Sequence, residues 1–179
     1  MKTLFVGALA ILMSTSASAD RNQSAQSFEH QAAQSVINVS LSPLNCSTSV
    51  GTGAFSANSW SWGAANSATS TGGGGSGAGK TTVTGLTIKK EFDACSPSLF
   101  IAVVSGKRFS PGLILSELDS NGAVVATVNL SDVTVTSWNV GSSTKESAPD
   151  ETVVFAFSKI CISKSGSSTA CYDLTTGKI

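Results

Sequence analysis

The sequence predicts a mainly β domain, a small closed barrel of antiparallel strands with one flanking α-helix. Three observations carry this expectation. Of the 179 residues, 32 are Ser and 18 are Thr, and with 17 Gly they describe strands with polar outer faces and many turns rather than a helical protein. Apolar residues recur with period two along several separate stretches. The parity of the apolar positions also switches twice, near Ser131-Asp132 and between Phe157 and Ile160, as strands do when they bend around a small barrel.

Length gives one domain with a real core. Eleven basic residues balance eleven acidic ones, so there is no electrostatic footprint for nucleic acid or an anionic membrane surface. The single histidine, His30, stands near the N-terminus and leaves no central imidazole for activating a nucleophile or binding a metal in pairs.

The first segment reads as an export address. Lys2 supplies the positive end, residues 4–13 form an apolar run too short to span a bilayer, and Ala17-Ser18-Ala19 is a small-residue cleavage site before Asp20. The expected organisation is a signal peptide over 1–19, a polar Gln-rich arm over 20–35 with Phe28 its only large apolar residue, and a barrel domain over 36–179. Export through the general secretory route places the mature chain in the periplasm or outside the cell. There is no membrane attachment after cleavage, and cysteines there form disulfides.

The barrel begins with Ile37, Val39 and Leu41, alternating before Pro43. Ser59-Trp60-Ser61-Trp62 places two indoles on one face of a second strand. Residues 64–80 are small and polar, and no core can be built from them, so they read as a long flexible loop. Gly74, Gly79, Lys80 and Thr81 fit the phosphate-binding pattern G-x-x-x-x-G-K-[ST]. That motif needs a strand before it and a helix after it; here a Ser/Thr/Gly linker precedes and the strand-like 82–88 follows, so nucleotide binding is not expected.

One helix is specified by Ser96 as N-cap, Pro97 at the first position, an apolar run over 99–104, and Gly106 after the end. Residues 113–118 and 123–130 flank Asn121-Gly122, a hairpin signal. Val124, Ala126, Val128 and Leu130 share one parity and Val133 and Val135 the other, which predicts a bulge at Ser131-Asp132. Val153, Phe155 and Phe157 likewise switch to Ile160 and Ile162.

Four cysteines allow three pairings. Cys161 and Cys171 stand symmetrically about Gly166 in a Ser/Gly turn, so a hairpin sets them opposite each other. Cys46 with Cys95 then follows by elimination alone.

Several segments together resemble the haemolysin co-regulated protein family, Hcp, of type VI secretion systems. They are Asn58-Ser59-Trp60-Ser61-Trp62-Gly63, the Gly-rich loop, Leu86-Thr87-Ile88-Lys89-Lys90, Ala94-Cys95-Ser96-Pro97-Ser98-Leu99, Ser105-Gly106-Lys107, and Pro149-Asp150-Glu151 leading to Phe157-Ser158-Lys159-Ile160. The similarity runs over about 36–163. It implies a barrel with a flanking helix, hexameric rings that stack into a tube, and no catalytic residues, metal or cofactor. It also implies that the loop over about 64–82, with Gly72, Gly73, Gly74, Gly75, Gly77, Gly79 and Lys80, helps one ring meet the next. Partners would be copies of itself, secreted cargo or secretion-machine proteins. The leader and the four cysteines depart from the family's usual form.

The rival is a secreted binding module in which Trp60, Trp62 and Trp138 form a carbohydrate- or partner-binding face. An enzyme finds less support. Glu91, Asp93, Glu117, Asp119, Asp132, Glu146, Asp150, Glu151 and Asp173 read as solvated charges at turns and strand ends, and nothing in their spacing brings two together for glycoside chemistry.

Overall fold

The computed structural model describes residues 35–67, 80–142 and 148–179. The expected leader and cleavage site, the arm before residue 35, the glycine run and Glu146 lie outside them. The first strand, β1 (Val36–Ser42), buries Ile37, Val39 and Leu41, with Asn38 between them half-buried and Ser40 exposed, as the alternation predicts. A small ribbon of β2 (Ser47–Thr48) and β3 (Gly51–Thr52) follows, then β4 (Ala54–Ala57) and β5 (Ser59–Ser61). Next come β6 (Ala64–Asn66), β7 (Thr81–Val83), β8 (Leu86–Glu91) and the helix α1 (Ser96–Ser105). The chain ends with β9 (Arg108–Leu118), β10 (Val124–Gly141), β11 (Asp150–Ala156), β12 (Lys159–Lys164) and β13 (Ala170–Asp173).

The main sheet runs β4-β1-β9-β10-β11-β8-β5, and every pair in it is antiparallel. Its two ends are one piece of chain. Ala57 pairs with Ile37 of β1, Asn58 donates its amide to the Lys89 carbonyl, and Ser59 pairs with Lys89 of β8. The barrel is thus closed through Asn58 by chain continuity, where a continuous hydrogen-bonded ladder would otherwise be needed.

The two parity switches prove to be one corner. β10 pairs with β12 over its first half and with β11 over its second, and its register with β9 slips between Ser131 and Val133. There Asp132 takes a left-handed φ of 52°, which an Asp tolerates better than most residues. Across from it the chain turns from β11 into β12 at Phe157-Ser158. The Ser158 amide donates to the Ser131 carbonyl, and its hydroxyl donates to the Asp132 carboxylate. Val128, Leu130, Val133 and Val135 are consequently all buried despite their opposite parities.

Two local expectations need correction and one is refined. Residues 64–66, expected in the loop, instead pair with 81–83 as the base of a hairpin, β6 with β7, because backbone pairing needs no core-forming side chains. The expected hairpin between β9 and β10 is present, and Asp119 organises it: its carboxylate accepts the amides of Asn121 and Ala123, with Gly122 at φ 79°. The N-cap of α1 is Cys95 rather than Ser96. The Ser96 hydroxyl instead accepts the Asp93 amide, and the Asp93 carboxylate accepts the Cys95 amide. At the other end Gly106 takes φ 62° and ends the helix as the sequence predicts.

Two disulfides join Cys46 to Cys95 and Cys161 to Cys171. The second pair lies directly opposite in the β12–β13 register. Closing loops of 10 and 49 residues stabilises the fold by about 3 and about 4 kcal/mol in the chain-entropy model. Urea unfolding of Cys161→Ser/Cys171→Ser and Cys46→Ser/Cys95→Ser is expected to report losses of that order, and peptide mapping that joined Cys46 to Cys161 would contradict both pairs.

After β13, Asp173 accepts the hydroxyl and amide of Thr175 and the amide of Thr176. These bonds, the Thr175 hydroxyl first, hold its carboxyl below the ordinary 3.8. A lowered folded-state value means that this turn's stabilisation is complete above the ordinary value and is lost as pH falls through Asp173's own. A carbon-detected NMR titration should place the Asp173 midpoint below 3.8.

Candidate assembly surfaces and the buried charge cluster

The barrel interior is filled by side chains, among them Leu41, Phe55, Ile88, Phe109, Leu115 and Phe155, all without solvent exposure. One ionic cluster is built into this core. In the register, Glu151 of β11 faces Lys90 of β8, and both have inward parity: Glu151 with Val153 and Phe155, Lys90 with Leu86 and Ile88. Lys90 is 0% exposed and Glu151 1%. Its ammonium lies 2.8 Å from the Glu151 carboxylate and 2.9 Å from Asp93, and it also donates to the Glu91 carbonyl and the Ser96 hydroxyl. The second Glu151 oxygen accepts the Trp138 indole N–H at 3.1 Å.

This corrects the reading of the acidic residues as solvated and separate. Asp93 and Glu151 meet on one ammonium. The β8–β11 register brings Glu151 to Lys90 across 61 residues of sequence, and Asp93 reaches the same ammonium from three residues along. Both carboxylates face Lys90, and Glu151 is closed off from solvent, so the arrangement clamps β8, β11 and the start of α1 to one another. Glu91, Asp119, Asp132, Asp150 and Asp173 lie at turns, strand ends or the bulge, as expected, while Glu117 pairs within the β1–β9–β10 ladder. Among the described residues no group of His, Cys, Asp and Glu could hold a metal ion.

The three indoles do not form one face. Trp60 lies opposite Ile88 on the inward side, and it and Trp62 turn towards Ala126 and Val128 in the first half of β10. Trp138 lies on the second half of β10, beyond the bulge, with its ring 5.5 Å from that of Phe100 in α1. All three are partly buried against the core, because the period-two pattern that aligns Trp60 and Trp62 points them inward.

The phosphate-binding look-alike lacks its context. Lys80 is exposed and bonded through its backbone to Ser67, and β7 and β8 follow it where the motif requires a helix. Lys80 stands at the tip side of the β6–β7 hairpin, which continues into the expected stacking segment.

Two exposed apolar patches stand out among the described residues. On α1, Phe100, Ile101 and Val104 are 44%, 57% and 62% exposed and share one helical face. On the outer face of the sheet, Val36 and Val124 both pair with Leu118, and Ile114 shares its outward parity; all three apolar side chains other than Leu118 are about half exposed. A closed barrel offers few strand edges, and such side-chain patches are apolar surface it leaves open to contact. No helix among the described residues is long and apolar enough to cross a membrane.

The fold has close structural counterparts. A type six secretion system protein matches with TM-score 0.72 and 22% identity over 81% of this chain and 99% of its own. Hcp1 from Salmonella typhimurium matches with TM-score 0.67 and 25% identity, over 80% of this chain and 97% of its own. A type VI secretion system effector from Yersinia pestis matches with TM-score 0.62 and 20% identity, over 76% and 98%. A search of curated proteins found no match. Residues 45–163, about two thirds of the chain, match the family described as Type VI secretion system effector, Hcp. With the barrel, its helix and the order of its motifs all in agreement, the chain belongs to the Hcp family of type VI secretion.

Proposed function

We propose that the chain is exported, loses residues 1–19, and self-assembles into hexameric rings that stack into a tube, as a type VI secretion tube component or a related extracellular assembly. The reading is structural or carrier-like, with cargo or secretion-machine proteins as further partners. The observation that carries it is the pair of unlike apolar patches on an otherwise closed Hcp-family barrel, one on α1 and one on the outer face of β1, β9 and β10. A ring is built by a head-to-tail contact between two different surfaces, which such a pair supplies. The β6–β7 hairpin and its glycine run would carry the contact between rings, since residues 72–79 hold no large apolar side chain that a core would need.

Light scattering on the mature protein, about 16 kDa per chain after cleavage, tests this. The expected species has six times that mass, with larger stacks. Deleting Gly72, Gly73, Gly74 and Gly75 should reduce the stacks and keep single rings. Stable monomers throughout the micromolar range would contradict the proposal.

A further inference from the structure

The cleft beside Trp60 and Trp62 is not accounted for by ring assembly. Its geometry follows from the register. Val128 of β10 faces Ile162 of β12, and two residues along Ala126 faces Lys164, so all four side chains lie on one face, the inward one. Beyond this point β11 no longer pairs with β10, and the two indoles of residues 60 and 62 cover the space instead. They leave a cleft of about 290 Å³, floored by Val128 at 2% exposure and open enough that Ile162, inward in parity, is 38% exposed. The exposed lining surface is mostly apolar, with hydroxyls from Thr127, Ser163, Ser167 and Ser168, and its one charged side chain is Lys164. No ion pair or side-chain hydrogen bond of Lys164 occurs among the interactions of the described residues.

We propose that this cleft binds a small amphipathic anion, a short acyl chain or single ring that carries a carboxylate. The volume sits at the lower end of ligand-binding clefts, which recur at the mouths of β-barrels, so the ligand is small. The two indoles and Ile162 bury its apolar part. The Lys164 ammonium at the rim favours a negative polar end, and Glu117, which shares its row across Ala126, sets the carboxylate on the Lys164 side of the cleft.

Ligand-observed NMR titration of the mature protein with octanoate, octanol and octylamine tests the proposal. Octanoate is expected to bind saturably, octanol several-fold more weakly, and octylamine not at all. Lys164→Glu is an exposed change that leaves the fold intact; it should weaken octanoate about fivefold or more and leave octanol unchanged. Trp62→Ala should weaken both ligands. Absence of saturable octanoate binding up to about 10 mM, a range that already includes very weak sites, would overturn the proposal. So would octanol binding as tightly as octanoate to the wild type, or Lys164→Glu leaving octanoate affinity unchanged.

Discussion

Gly112→Ala is expected to destabilise the fold by at least about 4 kcal/mol, beyond the usual range for a single substitution. Gly112 takes φ 133°, a region that side chains rarely enter. Its position explains why. It lies in β9 between Ser42 of β1 and Ser131 of β10, where the β10 bulge brings two backbones together. A Cβ there would stand 2.0 Å from the Leu130 carbonyl oxygen and 3.1 Å from the Ser131 Cα. Both are backbone atoms, which no rotamer change can move aside. Relief would require opening the β9–β10 ladder at the bulge, the corner that also turns β11 into β12. Gly141→Ala is the control: its Cβ meets nothing within 4 Å, and its effect should stay within about 0.5 kcal/mol. Urea unfolding of the two variants checks the contrast, and a Gly112→Ala loss below about 1 kcal/mol would contradict the close approach.

The second large effect is expected at the buried ion pair. Lys90→Met leaves the Glu151 carboxylate, 1% exposed, without its cation, and should cost about 3–5 kcal/mol. Glu151→Leu leaves the Lys90 ammonium with Asp93, so its loss should be smaller but still above 1 kcal/mol. Removing both charges together removes the mismatch. Lys90→Met/Glu151→Leu should therefore be more stable than Lys90→Met alone, with the unpaired Trp138 indole accounting for part of what remains. A double-mutant cycle by chemical denaturation at neutral pH measures this. Additive losses would mean that the two groups do not interact.

The physical reach of each sequence signal explains which features were legible. The bulge at Ser131-Asp132 was readable because a change of parity within one strand is local. The Cys161–Cys171 pairing was readable because ten residues and a central turn fix a hairpin by themselves. Closure of the barrel was only implied, since it depends on Asn58 passing the chain from β1 to β8. The N-cap was misplaced by one residue because Ser96 had a better use within the Lys90 cluster than at the helix end.

The cluster itself went unread for lack of a long-range register, yet its signal was present. Lys90 continues the parity of Leu86 and Ile88, and Glu151 that of Val153 and Phe155, so each strand carries a charge at an inward position. Two opposite charges with inward parity in neighbouring strands are a pairing signal once the strands are known to be adjacent. The tryptophans failed differently. Counting indoles gave three, but only the structure separates Trp138, beyond the bulge against α1, from Trp60 and Trp62 over the first half of β10.

Negative-stain electron microscopy of the purified mature protein, at micromolar concentration and without reductant, tests self-assembly most directly. The account predicts six-fold rings with a central opening, seen face-on as single rings and side-on as short stacks. A field of small particles with no rings, from protein that light scattering finds monomeric, would contradict it.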